Sequence, residues 1–145
     1  MAGVVIDASV PLTALLPGNR SDTAQRVLLG VVDGGAEVPA NWHLEVGNGL
    51  LAAERRGLLA TAARAAAMQA LAVLPIRVDA ETSAHAWADT TRLARDYGLG
   101  LADAAYLELA LRRDAVLVTF DATLLRASRA AGARDGAPIM ADNFR

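Results

Sequence analysis

The chain has no cysteine and no lysine, and both absences narrow its chemistry. Without cysteine there is no disulfide framework and no thiolate metal site. Without lysine, all 14 basic residues are arginine, and no ammonium group is on hand to neutralise a buried acid. Long apolar runs are missing too. A membrane helix needs about 18 or more apolar residues in a row, and Arg64 and Gln69 interrupt the best candidate. The apolar start has no basic region before it and Asp7 cuts it short, so no signal peptide is expected. The expected compartment is the cytoplasm. Excess positive charge is absent as well: the net charge is -2 and the pI about 5.6. This argues against binding nucleic acid through bulk charge. It leaves room for local arginines that hold a phosphate backbone. There is no repeat, linker or low-complexity segment beyond a bias to alanine.

What is present suits one domain over residues 1–145. Hydrophobic residues make up 54% of the chain and the mean hydropathy is +0.29, enough for a core without staples. Short apolar strands are expected at Val4-Val5-Ile6, Ala36–Pro39, Ile76-Arg77-Val78 and Ala115–Thr119. A last edge strand is expected at 137–140. Helices should fill the gaps. One begins at Asn41-Trp42, and its Gly47 and Gly49 suggest a neighbouring backbone in close approach. Another, from Thr61, is apolar almost all round and should be buried on more than one side, which implies a partner surface. A single helix from Thr82 or Ser83 should run to Gly98, with Ala84, Trp87 and Ala88 on one face. The next holds Asp103 and stops at Arg112-Arg113-Asp114. Alternating strands and helices predict an α/β fold: a central, mostly parallel sheet covered on both faces.

Four acids stand out. Asp7 ends the first strand, and Asp121 opens the helix after Ala115–Thr119. Glu45 and Asp103 lie in the first turns of their helices. In a parallel sheet, ligands bind outside the carboxyl ends of the strands, which is where these acids should meet. Each alone is also explained as a helix cap, a partner for the helix dipole or a solvated residue. As a cluster they need more. Two carboxylates about 4 Å apart repel by about 4 kcal/mol at an effective dielectric near 20. A helix N-terminus returns only about 0.3–1 kcal/mol per acid. A cation or shared protons must supply the rest, and oxygen-only donors favour Mg²⁺ or Mn²⁺ over zinc.

Other residues admit two readings each. Ser9 and Thr119 are either hydrogen-bond partners of Asp7 and Asp121 or ordinary turn residues. Asn48 either faces the acids or packs. Trp42 and Trp87 are expected in the core. His43 and His85 lack ligand spacing. Arg55-Arg56 and Arg112-Arg113 are solvated helix ends, or contacts for phosphates or a partner's acids.

The segments VVIDAS, LEVGNGL, LADAAYLELA and LVTFDATLL, in this order and spacing, resemble the PIN domain. More narrowly, they resemble the VapC-type toxins of bacterial toxin–antitoxin pairs. The resemblance spans nearly the whole chain, and the DAxYLxLA and LVTxDxxL blocks are its specific parts. It implies a three-layer α/β/α fold and an Mg²⁺- or Mn²⁺-dependent endoribonuclease. It also implies a homodimer inhibited by a small antitoxin. By position, Asp7, Glu45, Asp103 and Asp121 match the family's four acids. Some relatives carry a further acid two positions after the fourth; here Thr123 stands there.

The expected mechanism is hydrolysis of RNA phosphodiesters. Asp7, Asp103 and Asp121 would hold the metal, and Glu45 would orient or deprotonate the attacking water. Two rivals come from other classes. A phospho-accepting signalling domain also gathers acids at a sheet edge, but it normally needs a lysine near the phosphate. A catalytically silent PIN-like binding module would keep the fold without the reaction.

Overall fold

The computed structural model describes residues 3–18 and 21–136. Five short strands form one sheet: β1 (Val4–Ile6), β2 (Ala36–Val38), β3 (Ile76–Val78), β4 (Val116–Val118) and β5 (Arg134–Asp135). Their order is β3-β2-β1-β4-β5, and every pairing is parallel. The helices are α1 (Ser9–Leu15), α2 (Asp22–Gly34), α3 (Trp42–Arg55), α4 (Thr61–Ala72), α5 (Thr82–Ala86), α6 (Asp89–Tyr97), α7 (Leu101–Arg113) and α8 (Ala122–Ala130). The architecture is the expected α/β/α sandwich around a parallel sheet. The expected edge strand at 137–140 lies outside the described residues.

The chain order explains where a site can form. From β1 the chain steps outward to β2 and β3. It then returns to β4, on the other side of β1, and continues to β5. Crossovers in parallel sheets are right-handed, so steps in opposite directions put their helices on opposite faces. The contacts agree. Helix α1 touches α2 and α3, and α3 touches α4, while α7 packs on α5, α6 and α8. The reversal falls between β1 and β4, and ligands of such sheets bind at the carboxyl ends of the strands beside a reversal. Val5, Ile6, Leu117 and Val118 are fully buried beneath it, as strands covered on both faces require.

Several expectations change. The helix expected from Thr82 to Gly98 is two helices. The chain breaks at Trp87-Ala88, where Ala88 leaves helical geometry at φ -116° and ψ -108°. The break turns Trp87 out of the core, and it is 90% exposed. Trp42 is buried as expected, and its indole N–H donates to the Asp7 carbonyl at 3.2 Å. Arg112 and Arg113 are not solvated helix ends. Arg112 grips two buried acids, Asp79 at 2.5 Å and Glu108 at 2.8 Å. Arg113 reaches Glu37 at 3.3 Å. In α4 only Leu71 is buried, so the wide burial expected of that helix is not supplied by the described residues.

The two glycines of α3 differ, and neither meets the backbone that the sequence suggested. A Cβ on Gly49 would lie 2.6 Å from Leu12 Cδ1, so α1 packs its leucine side chain into the gap. A Cβ on Gly47 would meet only Met68 Cε, at an ordinary 3.8 Å. Alanine in a helix gains up to about 1 kcal/mol over glycine, whereas overpacking costs about 1–3 kcal/mol. Gly47→Ala is therefore expected to raise the urea midpoint and Gly49→Ala to lower it. A rise in both would mean that Leu12 yields freely.

Candidate active site

Asp7 follows β1 directly and is 4% exposed. Two hydroxyls hold its carboxylate. Ser9 Oγ donates to Oδ1 at 2.5 Å, and Thr119 Oγ1, from the end of β4, donates to Oδ2 at 2.5 Å. The Ser9 backbone N–H adds a bond to Oδ1 at 3.1 Å. Each hydroxyl also accepts a backbone N–H, Ser9 from Phe120 at 2.8 Å and Thr119 from Asp121 at 3.0 Å. Ser9 and Thr119 thus serve both readings: they shape the turns and spend their only proton on Asp7. These bonds do not offset the burial. Desolvation pushes the Asp7 pKa up to about 6, against the lowering by Ser9 and Thr119, and the charge of Asp103 adds to the rise.

Asp103 stands in the first turn of α7, partly exposed. Burial raises its pKa, and the charges of Asp121 and Glu45 raise it further. Asp121 is the N-cap of α8 and accepts the Thr123 N–H at 3.3 Å. Capping and membership of the acid group are therefore both true of Asp121. The electrostatic coupling runs from Asp7 to Asp103, and from Asp103 to Asp121 and Glu45. All four sequence-marked acids share one neighbourhood at the switch between β1 and β4.

Asp79 is the instructive contrast. It also follows a strand directly and is 2% exposed. Burial pushes its pKa up, but the bonds and charge of Arg112, with help from Glu81 and Thr82, outweigh this and leave it below the ordinary value. The acid with a cation is a structural ion pair. Asp7 and Asp103 have no ion-pair partner among the described residues and carry unbalanced charge.

Two residues of this neighbourhood were not marked from sequence. The Tyr106 hydroxyl donates to Glu45 Oε2, and its ring is 1% exposed. Burial raises the hydroxyl pKa, as do the Glu45 bond and the charges of Glu45, Asp7 and Asp103. Asn41, at the N-cap position of α3, makes no side-chain capping bond. Its Nδ2 donates to Glu45 Oε2 at 2.9 Å and to the Ala102 carbonyl at 3.4 Å. The signals were present: Tyr106 lies three residues after Asp103 and Asn41 four before Glu45, one helical turn in each case. Asn48 is exposed, and its side chain makes no hydrogen bond among the described residues.

The PIN domain family model matches residues 4–130. The chain belongs to this family. A solved structure, PAE2754 from Pyrobaculum aerophilum, is similar over 99% of this chain and 96% of its own, with a TM-score of 0.69 and 22% identity. At that identity the likeness concerns the fold of this PIN domain. No curated protein matches the chain significantly. Membership supports a general hydrolytic, nuclease-type role.

Among the described residues, no three His, Cys, Asp or Glu side chains are gathered closely enough to hold a metal ion as they stand. The donor chemistry nevertheless suits a hard cation. The acids offer oxygen alone, and Asp7 and Asp103 are each raised in a way that nearby positive charge would relieve.

Proposed function

We propose that this PIN domain is an Mg²⁺- or Mn²⁺-dependent endoribonuclease and acts as the toxin of a toxin–antitoxin pair, as VapC-type proteins do. The observation that carries the reading is the unbalanced pair Asp7 and Asp103, raised at the sheet's switch point beside Glu45 and Asp121. Asp7 and Asp103 would hold the metal, with Asp121 joining directly or through water. When bound, the metal supplies an activated water and positive charge for the phosphoryl oxygens. Ser9 and Thr119 keep the Asp7 carboxylate in one orientation. Glu45 orients the attacking water or takes its proton. Purified protein is expected to cut RNA with Mg²⁺ or Mn²⁺ and to stop with EDTA.

A catalytically silent binding module, which would keep the fold without the reaction, is the second reading. It calls for RNA that stays intact with either metal. A phospho-accepting domain fits poorly, since the chain has no lysine.

The toxin reading also calls for partners. Helix α4 leaves Ala62, Ala63, Ala66 and Ala70 exposed, and Val73 beyond it is 83% exposed. Met68 borders a groove of about 240 Å³ with Trp42, Val46 and Leu71. The alanines and the groove at Met68 lie on opposite sides of α4, and it is the groove side that would meet a second copy or the antitoxin. Met68→Glu is expected to give a smaller species in light scattering or weaker antitoxin binding. Unchanged mass together with unchanged binding would remove the Met68 side of α4 from any interface.

A further inference from the structure

We propose that Tyr106, together with Asn41, is the positioning device for Glu45: both donate to Oε2, so that Oε1 is the oxygen offered to the attacking water. The inference rests on the nuclease reading of Glu45 given above. Tyr106 is buried in α7 and cannot touch a substrate. Its hydroxyl points its proton at Glu45 Oε2, and Asn41 Nδ2 supplies a second donor to the same oxygen at 2.9 Å. Among the described residues Oε1 accepts nothing. Two donors on one oxygen fix the carboxylate's rotation, and the Asn41 bond to the Ala102 carbonyl ties it to the first turn of α7. Glu45 sits on α3 and Asp103 on α7. The clamp therefore sets the distance between two helices that reach the site from different crossovers.

Tyr106→Phe keeps the ring and removes only the hydroxyl. It should fold, lower kcat on RNA about ten- to a hundredfold and leave KM within about twofold. Asn41→Ala, at a more exposed position, should act in the same direction and carries the test should the first variant misfold. A double-mutant cycle decides whether Tyr106 works through Glu45. In a Glu45→Gln background, Tyr106→Phe should cost no further activity. An equal loss in both backgrounds would overturn the proposal. A readout independent of turnover is the proton spectrum of the metal-free protein. A hydroxyl proton donated to a carboxylate should resonate well downfield, vanish in Tyr106→Phe and move in Glu45→Gln. Its absence from the wild type would overturn the clamp. With that proton in place, a wild type that leaves RNA intact would remove the reading of the site and the positioning role with it. A Glu45→Gln variant as fast as wild type would remove the role of Glu45 and of its clamp, while the other acids stood.

Discussion

Asp103→Asn is expected to cut RNA at least about a hundredfold more slowly than the wild-type protein, with its fold intact. The substitution removes one negative charge from the group where Asp121 and Glu45 already raise the Asp103 pKa. It leaves an amide, a poorer donor to a hard cation than a carboxylate. Loss of a single group that stabilises charge in a transition state typically costs about 10²–10³ in rate. Asp7→Asn and Glu45→Gln should each lose most of the activity, by the same argument for Asp7 and by loss of the base for Glu45. The measurement is initial rates on one RNA at fixed Mg²⁺, with circular dichroism to show the fold. An Asp103→Asn protein as fast as wild type would place the chemistry elsewhere.

The metal-free protein is expected to lose stability as pH rises from about 4 to 6, and Asp7→Asn is expected to abolish most of that slope. Burial pushes the Asp7 carboxyl up to about 6 in the folded protein, from an ordinary 3.8. Between these values the folded protein holds a proton that the unfolded chain has released, so raising the pH favours unfolding. Above the folded value the loss is complete, on the order of 3 kcal/mol for this one buried group. Asp103 is raised too and adds in the same sense. Asp79 works the other way. Its pKa is lowered, so its stabilisation is present above the unfolded value and fades as pH falls below it. Stability in EDTA should therefore peak between the two windows. At neutral pH in EDTA, Asp7→Asn should melt above wild type, because the neutral amide no longer carries the desolvation cost. Mg²⁺ should then reverse the order. Binding to the folded state alone adds RT ln(1 + [L]/Kd), about 2.7 kcal/mol at a hundredfold excess over Kd, and the variant should gain much less. If Asp7→Asn melts lower than wild type in EDTA and keeps the same response to Mg²⁺, the carboxylate is a structural acceptor for Ser9 and Thr119 and no ligand.

Local patterns carried the sequence reading far. The run Val4-Val5-Ile6 followed by Asp7 was enough to place both a strand and the acid beyond it, because a strand buried on both faces reads as a continuous apolar run. The spacing of Val116–Val118 and Asp121 did the same for β4. Two kinds of error mark the limit. The apolar stripe through Trp87 met the helical period, yet the chain breaks there, since periodicity reports what a face would be if the helix continued. Arg112 and Asp79 were not paired in advance. They lie 33 residues apart, and only the tertiary placement of α7 beside the residue after β3 brings them to 2.5 Å.

The sequence by itself determined the alternation of strands and helices, the parallel sheet that follows from it, and the identity of the four acids. These are properties of residue order and of short-range chemistry. Tertiary structure alone decided which buried acid keeps an arginine and which does not, and so which carboxylates carry unbalanced charge. It also decided that Ser9 and Thr119 meet on Asp7 from beyond the ends of two adjacent strands, and that Tyr106 of α7 and Asn41 at the start of α3 meet on Glu45. A hydrogen bond needs its partners within about 3 Å. No pattern along the chain fixes that distance between residues 61 or 112 positions apart; the register of β1 against β4 and the seating of α7 beside α3 do.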